Sequence, residues 1–179
     1  MAVSPKPHHY VIADLHLGHR KLVDPQAVLK KPHRPFDSIE HHDKFIIKRI
    51  NAVCSPSSYL WVLGDVSFSR SSLDLLTQIH CSLALIGGNH DTRSMQTYLS
   101  VFNQVRHQAE VRCDSLDMTA LLTHIPIHPS EMYRWSKNIH GHLHTRSVKT
   151  WYGLKDRRYV CVSCEQIDYT PVKIETLLS

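Results

Sequence analysis

Leu83-Ala84-Leu85-Ile86-Gly87-Gly88-Asn89-His90-Asp91 decides how this chain is read. Four apolar residues make a short buried strand, two glycines end it, and amide, imidazole and carboxylate groups follow at once. The arrangement recurs along the chain. Tyr10-Val-Ile-Ala runs into Asp14-Leu-His16, Tyr59-Leu-Trp-Val-Leu into Gly64-Asp65, and Ala120-Leu-Leu-Thr into His124. Gly141-His142-Leu-His144 is a further donor-bearing segment. Strands that each carry a donor at the tip build one shared site. Carboxylate, imidazole and amide oxygen are the ligands of hard or borderline divalent ions.

Outward from these segments the chain alternates strand and helix. Strands are expected near 9–14, 59–63 and 83–86. A loop with Pro25, Pro32 and Pro35 follows the first. Asp37-Ser-Ile-Glu40 has the form of a capping box, with Asp37 as the cap of a helix reaching about Cys54. Ile39, Ile46, Ile50 and Val53 give that helix an apolar face. Ser71 or Ser72 is expected to cap a second helix ending near His80, and a short one spans about 93–99. From Val101 the pattern becomes mostly β, with strands over 108–112, 118–123, 139–141, 159–163 and 172–174. The sum is a sheet sandwich with helices outside.

The length of 179 residues suits one domain, 1–179, preceded by a short extended lead over 1–8 with Pro5 and Pro7. No apolar run reaches the roughly 18 residues of a membrane helix. The start, Met1 to His9, lacks the layout of a signal peptide. With an odd number of cysteines, five, this predicts reduced thiols and a cytoplasmic setting. Cys161-Val-Ser-Cys164 has no second CxxC to complete a zinc tetrad, and reads as small buried side chains. The net charge of +5 suits an anionic partner such as a phosphate ester or a nucleic acid, or simply a solvated basic surface.

Asp14 and His16 lie two apart, so both reach one ion only if the chain is already leaving the strand. Asp65 has two oxygens with which to bridge two ions. Gly141 lets the backbone pass close to the site. A DxH or an HxH alone is common; five segments in this order are specific. They resemble the calcineurin-like metallophosphoesterases, whose pattern runs DxH, GD, GNH[DE], H and GHxH. Asp14-Leu-His-Leu-Gly-His19, Arg34-Pro-Phe36 and Tyr169-Thr-Pro171 are similar to the short prokaryotic and phage members.

The resemblance implies an α/β fold, a four-layer α/β/β/α sandwich of the metallophosphoesterase type. It also implies two divalent ions, Mn, Fe or Zn. Asp14, His16 and His144 would hold one. Asn89, His124 and His142 would hold the other, and Asp65 would bridge them. His90 would sit over the substrate as the catalytic general acid while a metal-activated water attacks phosphorus. Asp91 reads as a cap of the following helix.

His19 and Arg34 are candidate contacts to the substrate phosphate. His128 reads as a loop histidine, His140 as structural, and His41 and His42 as facing solvent. Trp135 and Trp151 lie among cations and read either as base-stacking surfaces or as rim or core residues. The expected activity is phosphodiester hydrolysis, with phosphatase activity on nucleotide-like or other small phosphoesters, and with no membrane partner. A nuclease is a variant of the same chemistry, and a non-catalytic scaffold is the contrasting reading.

Overall fold

The computed structural model describes residues 8–27 and 34–179. Pro5, Pro7 and most of the expected lead, with Pro32 and His33, lie outside the described residues. In the first half, β1 (His9–Ile12), β2 (Tyr59–Val62), β3 (Ser82–Ile86) and β4 (Gln104–Arg106) run parallel. The connections carry α1 (Ile39–Val53), α2 (Arg70–Asp74) and α3 (Met95–Leu99). β9 (Val172–Lys173) returns antiparallel to β1, so the sheet order is β4-β3-β2-β1-β9.

β1 to β3 are apolar on both faces because both faces are covered. Ile12, Leu60, Val62 and Leu85 join Ile46, Ile50, Leu73 and Leu76 in a core under the helices. Val11, Trp61, Ala84 and Ile86 face a second core with Ala109, Ala120, Leu122 and Ile139. These last belong to the second sheet: β5 (Ala109–Cys113), β6 (Met118–Thr123), β7 (Lys137–His140) and β8 (Tyr159–Cys161). β5 is antiparallel to β6 and the other pairs are parallel.

Over β7 and β8 the outer face of this sheet carries the 124–135 segment with its 3-10 turn Pro129–Arg134, while Glu110 and Arg112 of β5 are exposed. Tyr159 Oη donates to the Ile127 carbonyl, and the Ile127 amide donates to Asn138. The expected α/β/β/α sandwich is therefore present, with a thin last layer.

Some local expectations give way. Ser38, not Asp37, caps α1: its Oγ accepts from the His41 amide at 3.0 Å. Asp37 is exposed and lies 3.5 Å from His41. Ser69, not Ser71 or Ser72, caps α2, because Ser69 and Ser72 satisfy each other's amides in a reciprocal box. The last strand is shorter than expected and turns at once into α4 (Ile174–Leu178), whose Ile174 and Leu178 plug the edge of the inter-sheet core. No helix among the described residues is long and apolar enough to cross a membrane.

Candidate metal centre

Every donor segment leaves the carboxyl end of a strand, on one edge of the sandwich, where ligands gather in open α/β sheets. The first two run side by side: Asp14 N donates to Gly64 O (3.0 Å), His16 N to Asp65 O (2.9 Å) and Leu17 N to Val66 O (2.9 Å). β1 ends at Ile12, and the chain has already left the strand when it reaches Asp14. Asp14, His16, Asp65, His142 and His144 all have positive φ, between +49° and +67°. Such backbone costs about 1–3 kcal/mol per residue and persists only where the surroundings over-determine it. Here it turns donors two residues apart to the same side. Gly141 permits a close approach of this kind: a Cβ there would lie 2.7 Å from both Ala13 Cβ and Asp14 Oδ2.

Asp14, His16 and His144 form one buried group. Asp14 Oδ2 accepts from Ser163 Oγ (2.6 Å) and from the His142 amide (2.8 Å). Asp14 Oδ1, fully buried, has no hydrogen-bond partner. It lies 3.8 Å from His16 Nε2 and 3.6 Å from His144 Nε2. Those spacings are too long for hydrogen bonds and suit donors around one ion. His144 Nδ1 meets Glu165 Oε1 at 2.9 Å, which turns Nε2 toward Asp14. Burial opposes ionisation of Glu165, but the His144 hydrogen bond and the Arg34 charge win and hold it at about 2.

Asp65, His124 and His142 form the second group. His124 Nδ1 donates to Leu63 O (2.8 Å), which in the neutral ring leaves the lone pair on Nε2. Nε2 nevertheless faces the amide oxygen of Asn89 at 2.9 Å. Two acceptors at that separation suit a cation between them. Asp65 joins the groups: Oδ1 is 3.5 Å from His124 Nε2 and Oδ2 is 3.7 Å from His16 Nε2. Asp65 Oδ2 is buried with no hydrogen-bond partner. Unpartnered buried carboxylate oxygens ringed by imidazoles fit two divalent ions in chemistry and in position.

His90 stays outside both groups. It is exposed, with its amide donating to Asp65 Oδ1 (2.9 Å) and its ring edge-on to His16 at 5.9 Å. His19 stacks on Phe68 at 4.0 Å, and Phe68 also borders His16 and His90 at 5.5 Å each. Phe68 is 40% exposed at the mouth, and no sequence signal marked it.

Three readings of the sequence are corrected. Arg34 is no phosphate contact: it is 2% exposed and its guanidinium is spent inside the protein. It donates to Asp14 O (2.6 Å), Leu15 O (2.9 Å) and Glu165 Oε1 (3.0 Å). Asp91 does not cap α3, whose cap is Ser94. Its carboxylate accepts from the amides of Asp65 (2.8 Å), Val66 (3.0 Å) and Gly88 (2.8 Å), bolting two donor loops together. His42 does not face solvent but is fully buried: Nε2 accepts from Arg34 (2.7 Å), and Nδ1 donates to Asp43 (2.7 Å). Asp43 in turn accepts from the Gly18 amide at 3.0 Å, so one chain of contacts grips both ends of the 14–18 loop.

His128 caps the 3-10 turn with its side chain, and His140 is buried beside Tyr159 and pushed down to about 4 by that burial. Ser163 and Glu165 were missed. They end an apolar strand just as the recognised donors do, and that signal was available.

In architecture the chain carries a metallophosphoesterase-type fold. It is similar over 96% of its length to a protein of unknown function from Aquifex aeolicus, which it covers to 97%, at 21% identity and a TM-score of 0.70. An archaeal phosphodiesterase shares the fold at 15% identity and a TM-score of 0.50, over 87% of this chain and 81% of that one. Vps29 of Chaetomium thermophilum does so at 16% identity and 0.50, over 89% and 74%. In sequence the chain is 25% identical over 174 residues to an uncharacterized protein of Methanocaldococcus jannaschii, covering 94% of this chain and 88% of the relative. No family model matches the chain.

Proposed function

We propose that the chain is a dinuclear-metal phosphodiesterase acting on nucleotide-like or other small phosphoesters. The observation that carries this is Asp65, whose two oxygens face the two donor groups separately, at 3.7 Å from His16 and 3.5 Å from His124. Asp14, His16 and His144 would hold one ion, and Asn89, His124 and His142 the other. Two such ions lower the pKa of a water toward neutrality and offset charge on phosphoryl oxygens.

The chain's own residues supply the rest. Asp14 and Asp65 bring negative charge into a buried setting where only cations offset it. Ser163 and Glu165 fix the orientation of Asp14 and His144. His90, exposed beside Phe68 and His16, would donate a proton to the leaving alkoxide. His19, stacked on Phe68, stands at the same mouth as a candidate phosphate contact. A cleft of about 380 Å³ lined by Gly88, Asn89, His107, His124 and Ile125 opens beside the second group. It leaves room for the second ester arm of a diester, which favours diesterase over monoesterase.

The test is reconstitution with Mn, Fe or Zn, followed by assays on a bis-aryl phosphate and an aryl monophosphate. Two ions per chain and faster diester turnover are expected. Asp65→Asn should leave at most one tightly held ion and cut the rate by about a thousandfold, the several kcal/mol a metal contributes to transition-state charge. Full loading without turnover of any phosphoester would leave the scaffold reading in its place.

A further inference from the structure

Between His144 and β8 the chain makes a hairpin that neither the core nor the metal centre uses. Lys149 and Lys155 pair antiparallel across it. Thr150 N donates to Leu154 O (2.7 Å) and Gly153 N to Thr150 O (2.9 Å), with Gly153 at φ +83°. This is a three-residue loop closed by a left-handed glycine. The loop's first two positions accept almost any residue and usually carry polar ones. Here they are Trp151 and Tyr152, 85% and 69% exposed, with ring centroids 3.6 Å apart; Leu154 beside them is 68% exposed. Turn geometry does not require these aromatics, and burial does not explain them.

The charge around the tip is equally one-sided. From Arg146 to Arg158 there is one acid, Asp156, and it pairs with Arg158 at 2.7 Å. Arg146, Lys149, Lys155 and Arg157 are exposed. The hairpin's root is tied to the metal centre: Gln166 Nε2 donates to the main-chain carbonyls of both His144 (2.8 Å) and Arg146 (3.3 Å). We propose that this hairpin docks single-stranded nucleic acid, stacking bases on Trp151 and Tyr152 and pairing backbone phosphates with the flanking cations. The choice of nucleic acid rests on the phosphodiesterase reading, since a polynucleotide is itself a chain of phosphodiesters passing the first donor group. Single strands are required because a duplex hides the base faces.

The experiment titrates full-length protein into a fluorescently labelled oligothymidine in EDTA, followed by anisotropy at low and high salt. Binding that weakens with salt is expected. Joint Trp151→Ala and Tyr152→Ala substitution should weaken it at least about tenfold through the absence of stacking. Joint Lys149→Glu and Lys155→Glu substitution should weaken it and flatten the salt dependence, by roughly one unit of slope for each phosphate no longer neutralised. Absence of binding, or parental affinity in both double variants, overturns the proposal. So does hairpin-dependent flotation with phosphatidylserine vesicles in place of oligonucleotide binding. Because the titration needs no metal, its failure is distinct from that of the phosphodiesterase reading, which shows only as loaded protein without turnover.

Discussion

Arg34 Nη2 donates to the main-chain carbonyl of Asp14 over 2.6 Å, so a buried cation holds the donor loop by its backbone rather than meeting substrate. The same guanidinium reaches Leu15 O, Glu165 and His42. Lysine has neither the fork nor the donors to replace it. Arg34→Lys should lower unfolding stability by about 2–4 kcal/mol, as buried acceptors lose their donors. Metal affinity should fall by about 10–100-fold as Glu165 loses its hold on His144. Urea denaturation and competition with a chelating dye read the two effects. An unchanged urea midpoint would refute the anchoring role.

His90→Ala should keep both ions, because the ring joins neither donor group. Turnover should fall by about 10²–10⁴-fold on a diester with an alkyl leaving group, and much less where the leaving group is a nitrophenolate that needs no proton. Equal losses on both substrates would assign His90 to binding instead.

Four of the five donor segments were legible because each follows an apolar run, and burial of a strand on both faces writes such a run into the sequence; Gly141-His142-Leu-His144 follows the mixed strand Lys137–His140 and showed only through its glycine and paired histidines. What turns those donors inward was not legible. Arg34 and Glu165 lie 131 residues apart and meet only through the path of two loops. His42 sits in a helix whose first turn reads as solvated, yet it is the link between Arg34 and Asp43. The positive φ of Asp14 and His16 likewise follows from pairing with the 64–66 segment, a long-range constraint with no local signature. Asp91 was misplaced for the reverse reason: an acid before a helix is a common local cap, and here it takes three amides from two loops instead.

Burial pushes the His42 imidazole below its ordinary 6.5, against the pull of its Asp43 hydrogen bond and with the Arg34 charge in support. The folded protein thus binds fewer protons here than the unfolded chain. The contribution to stability is complete above 6.5 and is lost as pH falls through the lower folded value. The urea midpoint of metal-free protein should therefore drop as pH is lowered below 6.5. In His42→Gln that slope should flatten but not vanish, since His140 is pushed down in the same direction to about 4. Parallel pH profiles for parent and variant would rule out His42 as a source of the slope.

Asp91 tests whether the bolt between the donor loops matters to the site. Its Oδ2 takes the amides of Asp65 and Gly88, and its Oδ1 takes that of Val66. Burial holds its carboxyl above the usual range even against those three bonds, so the arrangement is costly to build and costly to spoil. In Asp91→Asn one acceptor becomes a donor, and at least one amide is left facing another N–H. That should cost about 1–3 kcal/mol, and Asp91→Ala should cost more. Because the Asp65 amide is among the three, the same change should loosen the positive-φ backbone that aims the bridging carboxylate, and metal affinity should fall with stability. The pattern of loss discriminates: a variant stable and fully metal-loaded but slow would give Asp91 a role in turnover instead of in joining the loops. A variant weakened in both stability and metal uptake, with residual turnover proportional to the metal retained, identifies it as the bolt.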